Sequence, residues 1–113
     1  MADQLVLPDI GPPVTRATFR DVIGDAFSLG VDTVVIPVGR LDVAFFDLRT
    51  GVAGDIVQAF VNYHLRLVVL GPIPPAATAS GSFPAFVSET NRGSQTWFVE
   101  TAEELDRRLA ERG

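Results

Sequence analysis

With 113 residues, the chain is long enough for one hydrophobic core and too short for two, so we expect a single domain over residues 1–113. Its net charge is -5 and its nine cations are all arginines, which argues against nucleic acid or an anionic membrane as a partner. The chain has no cysteine and no apolar run near the length of a membrane span, so we expect a cytoplasmic protein without a metal or another cofactor.

Short apolar runs predict the strands of a largely buried sheet. Residues 1–15 are expected to supply a short edge strand, ended by Pro8, and a turn. The runs TVVI at 33–36, LRLVVL at 65–70 and TWFV at 96–99 have almost no polar alternation, which is typical of strands covered on both faces. Because helical segments alternate with these runs, we predict an α/β fold with four to five mostly parallel strands and about four helices.

Capping signals mark the first and the last helix. Thr18 with Asp21, and Thr101 with Glu104, have the spacing of a capping box, in which two side chains bond the free amides of a helix start. Gly30 is expected to end the first helix in a left-handed conformation. The apolar face of that helix is predicted to comprise Phe19, Val22, Ile23, Ala26 and Phe27.

A second helix, over residues 50–62, is the element on which the functional interpretation depends. Gly51, Gly54 and Gln58 lie together on one of its faces. Two glycines destabilise a helix by about 1 kcal/mol each relative to alanine, so we expect another surface to pack closely there. The opposite, apolar face is predicted to comprise Val52, Ile56, Ala59, Phe60 and Tyr63.

The segment GPIPPAATASGS, residues 71–82, is rich in proline, alanine, serine and glycine. We predict a mobile loop there, without a helix or strand of its own. A third helix should begin after it, with Pro84 in the first turn, where the missing amide proton of proline costs nothing.

Three motifs resemble an uncharacterised bacterial family known as a domain of unknown function. They are FFDLRTGVAGD at 45–55, NYHLRLVVLG at 62–71 and ETNRG at 89–93, and the resemblance extends over residues 16–112. It implies no activity. More remotely, the order of the elements is similar to that of STAS domains, the fold of anti-sigma factor antagonists, which implies a small STAS-like sandwich. In that family a partner kinase phosphorylates a Ser or Thr before a helix that docks on the partner, and Thr50 occupies the corresponding place here.

The first candidate site is the turn that leads into the second helix. If Thr50 opens the helix, its hydroxyl and the amides of Gly51 and Val52 point outward beside Arg49 and would stabilise a phosphate at the positive end of the helix dipole. Alternatively, Thr50 or Asp47 caps the helix and no ligand is needed. The binding surface on this hypothesis comprises Asp47, Arg49, Thr50, Gly51, Gly54 and Gln58.

A second candidate site is an apolar pocket under the 71–82 loop. Aromatic residues near that loop, with Phe83 among them, would line it, although such residues more often form a core or a subunit interface. His64 is the one imidazole and a candidate for acid-base chemistry, but at a helix end it more often answers the helix dipole. The polar end of the third helix is either part of the pocket or only a helix terminus. The residues of this alternative pocket are Phe45, Phe46, Tyr63, His64, Arg66, Glu89, Asn91, Arg92 and Trp97.

Two functions remain open. The preferred one is a non-enzymatic regulatory or protein-interaction module that uses the N-terminal end of the 50–62 helix, with Thr50 as a candidate phosphorylation switch. Its partner would be another protein or a second copy of the chain, and we expect a homodimer because the short N-terminal strand leaves a sheet edge exposed. The alternative is a small-molecule binding protein or minor enzyme with the aromatic pocket described above.

Overall fold

The computed structural model describes residues 4–78 and 82–112. Its strands form one sheet in the order β1-β2-β3-β4, and every neighbouring pair is parallel. The prediction of an α/β fold with a mostly parallel sheet is therefore confirmed. The strands are β1 (Gln4–Val6), β2 (Thr33–Pro37), β3 (Arg66–Leu70) and β4 (Thr96–Val99).

Four helices of 10 or 11 residues and one short helix connect and cover these strands. None of the helices in the described part of the chain is long and apolar enough to cross a membrane. The helices are α1 (Phe19–Leu29), α2 (Val52–Asn62), the short α3 (Pro75–Thr78), α4 (Ser82–Asn91) and α5 (Ala102–Arg112).

The helices divide unequally between the two faces of the sheet. Because the strands follow one another in one direction, right-handed crossovers place the connecting helices on the same face. There, α1, α2 and α4 pack on one hydrophobic cluster that includes Ile36, Leu67 and Phe98. On the other face, Leu105 of α5 packs against Trp97 and its neighbours. Adjacent residues of β4 thus belong to different cores, as the two-residue period of a strand requires.

Three short 3₁₀ turns connect β2 to α2. They are Val38–Arg40, Val43–Phe46 and Leu48–Thr50. Val14 makes only an isolated parallel bridge, with Leu41.

The start of α1 corrects the predicted capping box. The Thr18 hydroxyl makes no cap bond to the helix; it donates to the Pro13 carbonyl at 3.2 Å and accepts from the Thr15 amide at 2.8 Å. The hydroxyl is therefore used to close the turn that precedes the helix. Phe27, predicted to be buried, is 55% exposed and contacts the Tyr63 ring edge to face at 5.5 Å. Gly30 ends the helix at φ 71°, as expected.

The segment that follows β3 contains a helical turn that composition did not reveal. Within residues 71–82, Pro75–Thr78 is helical and Ala77 is 6% exposed, so the prediction that this segment has no helix of its own is wrong. Residues 79–81 lie outside the described residues, and the mobility predicted there stays a prediction. The helix α4 begins at Ser82 and carries Pro84 in its first turn, which confirms the predicted start.

The predicted capping box of α5 is confirmed in its first bond, whereas its return bond reaches the amide one residue before the N-cap. The Glu104 amide donates to the Thr101 hydroxyl at 3.1 Å, and the Glu104 carboxylate accepts from the Glu100 amide at 2.9 Å. These bonds satisfy amides at the start of the helix and fix the direction in which the chain turns after β4.

Candidate functional site

The Thr50 hydroxyl lies inside the turn before α2 and is hydrogen-bonded on all sides. The Ala44 carbonyl at 2.7 Å and the Asp47 carbonyl at 2.8 Å share its one proton. The hydroxyl oxygen accepts from the Val52 amide at 3.2 Å. The prediction that this hydroxyl points outward, together with a free Val52 amide, is therefore wrong. The geometry is closer to the structural alternative left open by the sequence: the N-cap residue of α2 is Gly51, and the Thr50 hydroxyl bonds the first helical amide from the position before it.

Gly51 forms the junction between the last 3₁₀ turn and α2. Its φ of 78° is left-handed, a conformation that glycine adopts without strain, and its amide donates to the Leu48 carbonyl at 3.1 Å. Arg16 lies over this junction, where it donates to the Thr50 carbonyl at 2.9 Å and pairs with Asp55 at 2.9 Å. A Cβ atom on Gly51 would lie 3.0 Å from the Arg16 guanidinium. The start of α2 is thus bonded within the chain.

The face of α2 that carries Gly54 and Gln58 is exposed. Nothing lies within 4 Å of the position that a Cβ atom of Gly54 would occupy, and Gln58 donates to Asn62 at 2.9 Å. The expectation of a closely packed surface is therefore wrong within this chain. Binding of a partner to this face stays a prediction.

Asp47 and Arg49 form a two-point ion pair beside this turn. The Arg49 Nε and Nη2 atoms each donate to one oxygen of the Asp47 carboxylate at 3.0 Å, and the Arg49 amide donates to Oδ1 at 3.1 Å. These hydrogen bonds hold the pKa of Asp47 below its ordinary value and raise the pKa of Arg49. Both groups therefore stay charged near neutral pH, and the backbone bond fixes the carboxylate on the turn.

The ion pair stands at the rim of a cleft of about 520 Å³. One wall comes from the 3₁₀ turns that follow β2, and the other from the segment that follows β3 together with the first turn of α4. Both walls therefore follow the carboxyl ends of two neighbouring parallel strands. The lining residues are Val43, Phe46, Asp47, Leu48, Arg49, Pro74, Ala77, Ser82 and Phe83.

Aromatic rings form the floor and the inner wall of the cleft. Phe46 and Phe83 line it with ring centroids 5.6 Å apart, and the fully buried Phe45 lies beneath them, 5.3 Å from Phe46 and 6.4 Å from Phe83. At the outer rim, Val43 is 83% exposed. The cleft thus has a rigid aromatic interior and a rim with one apolar side chain and one ion pair.

Comparison with known families matches residues 4–109 to a domain of unknown function, DUF4180. The chain belongs to this family. The comparisons with curated proteins and with solved structures found no match. The resemblance to an uncharacterised domain is thereby confirmed at the level of the family, whereas the STAS resemblance depends on the order of the elements and none of the comparisons supports it.

The alternative pocket predicted from the sequence of this DUF4180 chain is divided among several places. Phe46 and Phe83 line the cleft, but Tyr63, His64 and Arg66 lie near the amino ends of the strands. A separate cavity of about 220 Å³ there is lined by Asp32, His64, Leu65, Arg66, Ser94 and Gln95.

His64 occupies the left-handed position after α2, with φ 60°. Its amide donates to the Val61 carbonyl at 3.0 Å, and the next amide, of Leu65, reaches back to Phe60 at 2.9 Å, as in a Schellman end. Within residues 4–78 and 82–112, no cluster of three or more His, Asp or Glu side chains is placed to hold a metal ion. The position of His64 thus corresponds to its structural interpretation.

Asn91, at the end of α4, bonds the outer edge of β4. Its Nδ2 atom donates to the Phe98 carbonyl at 3.2 Å, and its Oδ1 atom accepts from the Phe98 amide at 2.7 Å. The side chain thus replaces a neighbouring strand at this edge. Arg92 pairs with Glu89 at 3.6 Å, as the sequence predicted for a helix terminus. The polar end of α4 closes the sheet and does not face the cleft.

Trp97 lies on the opposite face of the sheet, under α5. Its indole donates to the Gly93 carbonyl at 2.8 Å, and the guanidinium carbons of Arg66 and Arg108 lie 4.8 and 4.5 Å from its ring centroid. Sequence reasoning placed Trp97 in the aromatic pocket, but strand alternation turns Phe98 and not Trp97 toward Phe45 and Phe83.

Several cleft residues were not anticipated from the sequence. Val43 and Leu48 lie on 3₁₀ turns, whose three-residue period is too short a signal to separate from a loop. Pro74 and Ala77 belong to a segment that composition assigned to a loop. The one usable signal was the apolar run from Val43 to Phe46, a few residues after a buried strand.

Proposed function

We propose that this DUF4180 chain is a small-molecule binding protein whose ligand occupies the cleft beside Asp47 and Arg49. The observation that carries the proposal is the cleft itself. Its volume of about 520 Å³ lies within the range of roughly 300–1,000 Å³ that is usual for small-molecule sites. Its lining is mostly apolar and aromatic with a few polar groups at the rim, which is the composition expected of such sites.

Binding is favoured over catalysis by the chemistry of the rim. Among the described lining residues, the ionisable side chains are Asp47 and Arg49, and each neutralises the other. A general base works best with a pKa near the working pH, and the pKa of Asp47 is shifted away from that range by its bonds to Arg49. A binding role uses the pair without requiring a proton to move.

Small aromatic fragments, observed by ligand-detected NMR, test this proposal. Val43→Trp places a large ring at the rim, and because Val43 is 83% exposed the substitution should be tolerated by the fold. Val6→Trp is the matched control, since Val6 is 55% exposed on the edge strand β1. Fragments that bind the wild type should lose about tenfold in affinity in Val43→Trp and none in Val6→Trp. A screen in which no bound fragment distinguishes the two variants overturns the proposal.

A second candidate is a protein-interaction module at the start of α2, with a STAS-like switch at Thr50. The observation that favours it is the pair of cations at this exposed turn: Arg16 donates to the Thr50 carbonyl at 2.9 Å, and Arg49 directly precedes Thr50 in the chain. A phosphate on Thr50 would lie close to the guanidinium groups of Arg16 and Arg49. The partner on this hypothesis is another protein or a second copy of the chain, and the second copy is the case that can be tested with the pure protein.

Native mass spectrometry of the wild type, Thr50→Asp and Thr50→Val separates a switch from a cap. A switch predicts a dimer that Thr50→Asp alters and Thr50→Val leaves intact, because only the first variant adds charge. A cap predicts that both variants lower the free energy of unfolding by about 1 kcal/mol and leave the oligomeric state unchanged. The second result removes the switch and leaves the small-molecule proposal standing.

A further inference from the structure

We infer that the ligand of the cleft is an apolar monocarboxylate, an aromatic or branched aliphatic acid whose carboxylate binds Arg49. This inference depends on the proposed function, because it names the chemical class of the molecule that the cleft would hold. It is carried by the way in which the Arg49 guanidinium is held at the rim.

One edge of the Arg49 guanidinium is occupied and the other is open. Asp47 takes the edge formed by Nε and Nη2, with both distances at 3.0 Å. Across the described residues, no partner contacts the edge formed by Nη1 and Nη2, and the side chain is 90% exposed. A guanidinium is planar and presents two N–H groups along each edge, so a second carboxylate can bind in the same two-point manner.

Asp47 acts as a positioning residue for this interaction. Its carboxylate is fixed to the turn by the Arg49 amide at 3.1 Å, and it holds the guanidinium through two further bonds. An exposed arginine normally loses side-chain entropy when it binds a ligand, but here part of that loss has already occurred in the free protein. The guanidinium is thus pre-organised at the rim.

The neighbouring cation does not compete for the ligand. Arg16 is committed to Asp55 and to the Thr50 carbonyl, both at 2.9 Å, and does not line the cleft. With one open guanidinium edge at the rim, the described lining matches one carboxylate and not two. The interior, with Phe46 and Phe83, matches an apolar body that carries a ring or a branch.

A matched pair of probes tests the inference: 2-naphthoate and its neutral isostere 2-naphthamide, titrated at pH 7.5 by fluorescence or calorimetry. The naphthoate should bind the wild type about tenfold more tightly than the amide, because two charge-assisted hydrogen bonds replace neutral ones. Arg49→Gln should remove that preference, because it weakens the binding of the naphthoate far more than the binding of the amide. Arg49→Lys should restore only part of it, because lysine keeps the charge and loses the two-point edge.

The control variant is Arg92→Gln, which also removes an arginine paired to a carboxylate, at 3.6 Å from Glu89 and away from the cleft. It should leave both affinities unchanged. Equal binding of the two probes, or a preference that survives Arg49→Gln, overturns the inference while Val43→Trp still tests the cleft. If neither probe binds although other fragments bind and are lost in Val43→Trp, the ligand class is wrong and the proposed function stands. If no fragment responds to Val43→Trp, both fail.

Discussion

The two faces of the sheet each combine aromatic rings with arginines, but they use the arginines differently. Under α5, Arg66 and Arg108 both stack on Trp97 and donate to backbone carbonyls of the segment before β4, Arg66 to Ser94 at 3.0 Å and Arg108 to Asn91 at 2.7 Å. The indole is 2% exposed and its own N–H is bonded. That region is closed: its polar groups hold neighbouring segments of the chain together.

At the cleft, Arg49 is hydrogen-bonded along only one edge of its guanidinium. Arg49 binds Asp47 through one edge only and is 90% exposed, and Phe46 and Phe83 line the same cleft. The hydrogen-bond partners of a guanidinium are therefore a better indication of its role than the aromatic residues near it. An arginine whose donors end on backbone carbonyls is structural, whereas one with an open two-point edge over a cavity is available to a ligand.

The largest loss of stability is expected from a substitution in the closed region under α5. Trp97→Ala removes a fully buried indole and the packing surface of both arginines, so the free energy of unfolding should fall by about 3–5 kcal/mol. Phe46→Ala, on the partly exposed cleft wall, should lower it by less, about 1–2 kcal/mol, because part of the ring already faces the cavity. Urea denaturation of the two variants measures both values. Equal losses would mean that the cleft wall is as tightly packed as the core.

A smaller loss of stability is expected when the side-chain bonds to the outer edge of β4 are removed. Asn91→Ala leaves the amide and the carbonyl of Phe98 without their side-chain partners, which should cost about 2–3 kcal/mol because both groups are partly buried. Glu89→Ala is the control on the same helix; its side chain is 77% exposed and its ion pair with Arg92 is long, so the change should stay within about 0.5 kcal/mol. If Glu89→Ala lowered the free energy of unfolding as much as Asn91→Ala, the loss would come from the helix α4 and not from the bonds at the strand edge.

The sheet and the main helices were predictable because their signals are long and periodic. The runs that form β2, β3 and β4 are almost wholly apolar, and the buried face of α2 repeats at helical spacing. Alternation of these elements was enough to predict parallel strands. The family resemblance added its motifs but no chemistry.

The cleft was predictable only in part, because its walls are built from short elements and from side-chain geometry. Phe46, Asp47 and Arg49 were named from the sequence, but they were assigned to two different sites. Whether a carboxylate two residues away pairs with an arginine depends on the turn between them, and a 3₁₀ turn leaves no periodic trace. Trp97 was assigned to the wrong face because closeness in sequence was given more weight than strand alternation.

A matched pair of threonines extends the comparison to buried hydroxyls on the two faces. Thr33 and Thr96 are 1% and 4% exposed, and both lie in strands. The Thr33 hydroxyl donates to Asp32 at 2.9 Å and accepts from Arg66 at 3.2 Å, whereas the Thr96 hydroxyl has no partner among the described residues. Thr96→Val should therefore raise the free energy of unfolding by about 1 kcal/mol, while Thr33→Val should lower it by a similar amount. Urea denaturation should give changes in the free energy of unfolding that are opposite in sign for the two variants. A lower free energy of unfolding in Thr96→Val would show that the Thr96 hydroxyl has a partner in solution.

The smallest effect concerns the pH dependence of the Asp47 and Arg49 pair. The bonds from Arg49 lower the pKa of Asp47 in the folded chain, so the stabilisation is complete above the ordinary aspartate pKa of about 3.9 and is lost as the pH falls through the lower, folded value. Asp47→Asn keeps an oxygen for the Arg49 amide but removes the charge. The difference in free energy of unfolding between the wild type and Asp47→Asn should be constant above about pH 5 and should shrink at lower pH.

Arg49→Gln provides the second half of this measurement, because without the guanidinium the pKa of Asp47 should return toward its ordinary value and the same pH-dependent part should disappear. The double variant should then show no further change below pH 5, since either single change already removes the pair. A difference that grows as the pH falls would mean that the Asp47 charge is repelled in the folded chain, and the guanidinium would then not be held in place for a ligand. Because both side chains are exposed, 150 mM salt should reduce the whole effect, and a salt-independent difference would also contradict an ion pair at the rim.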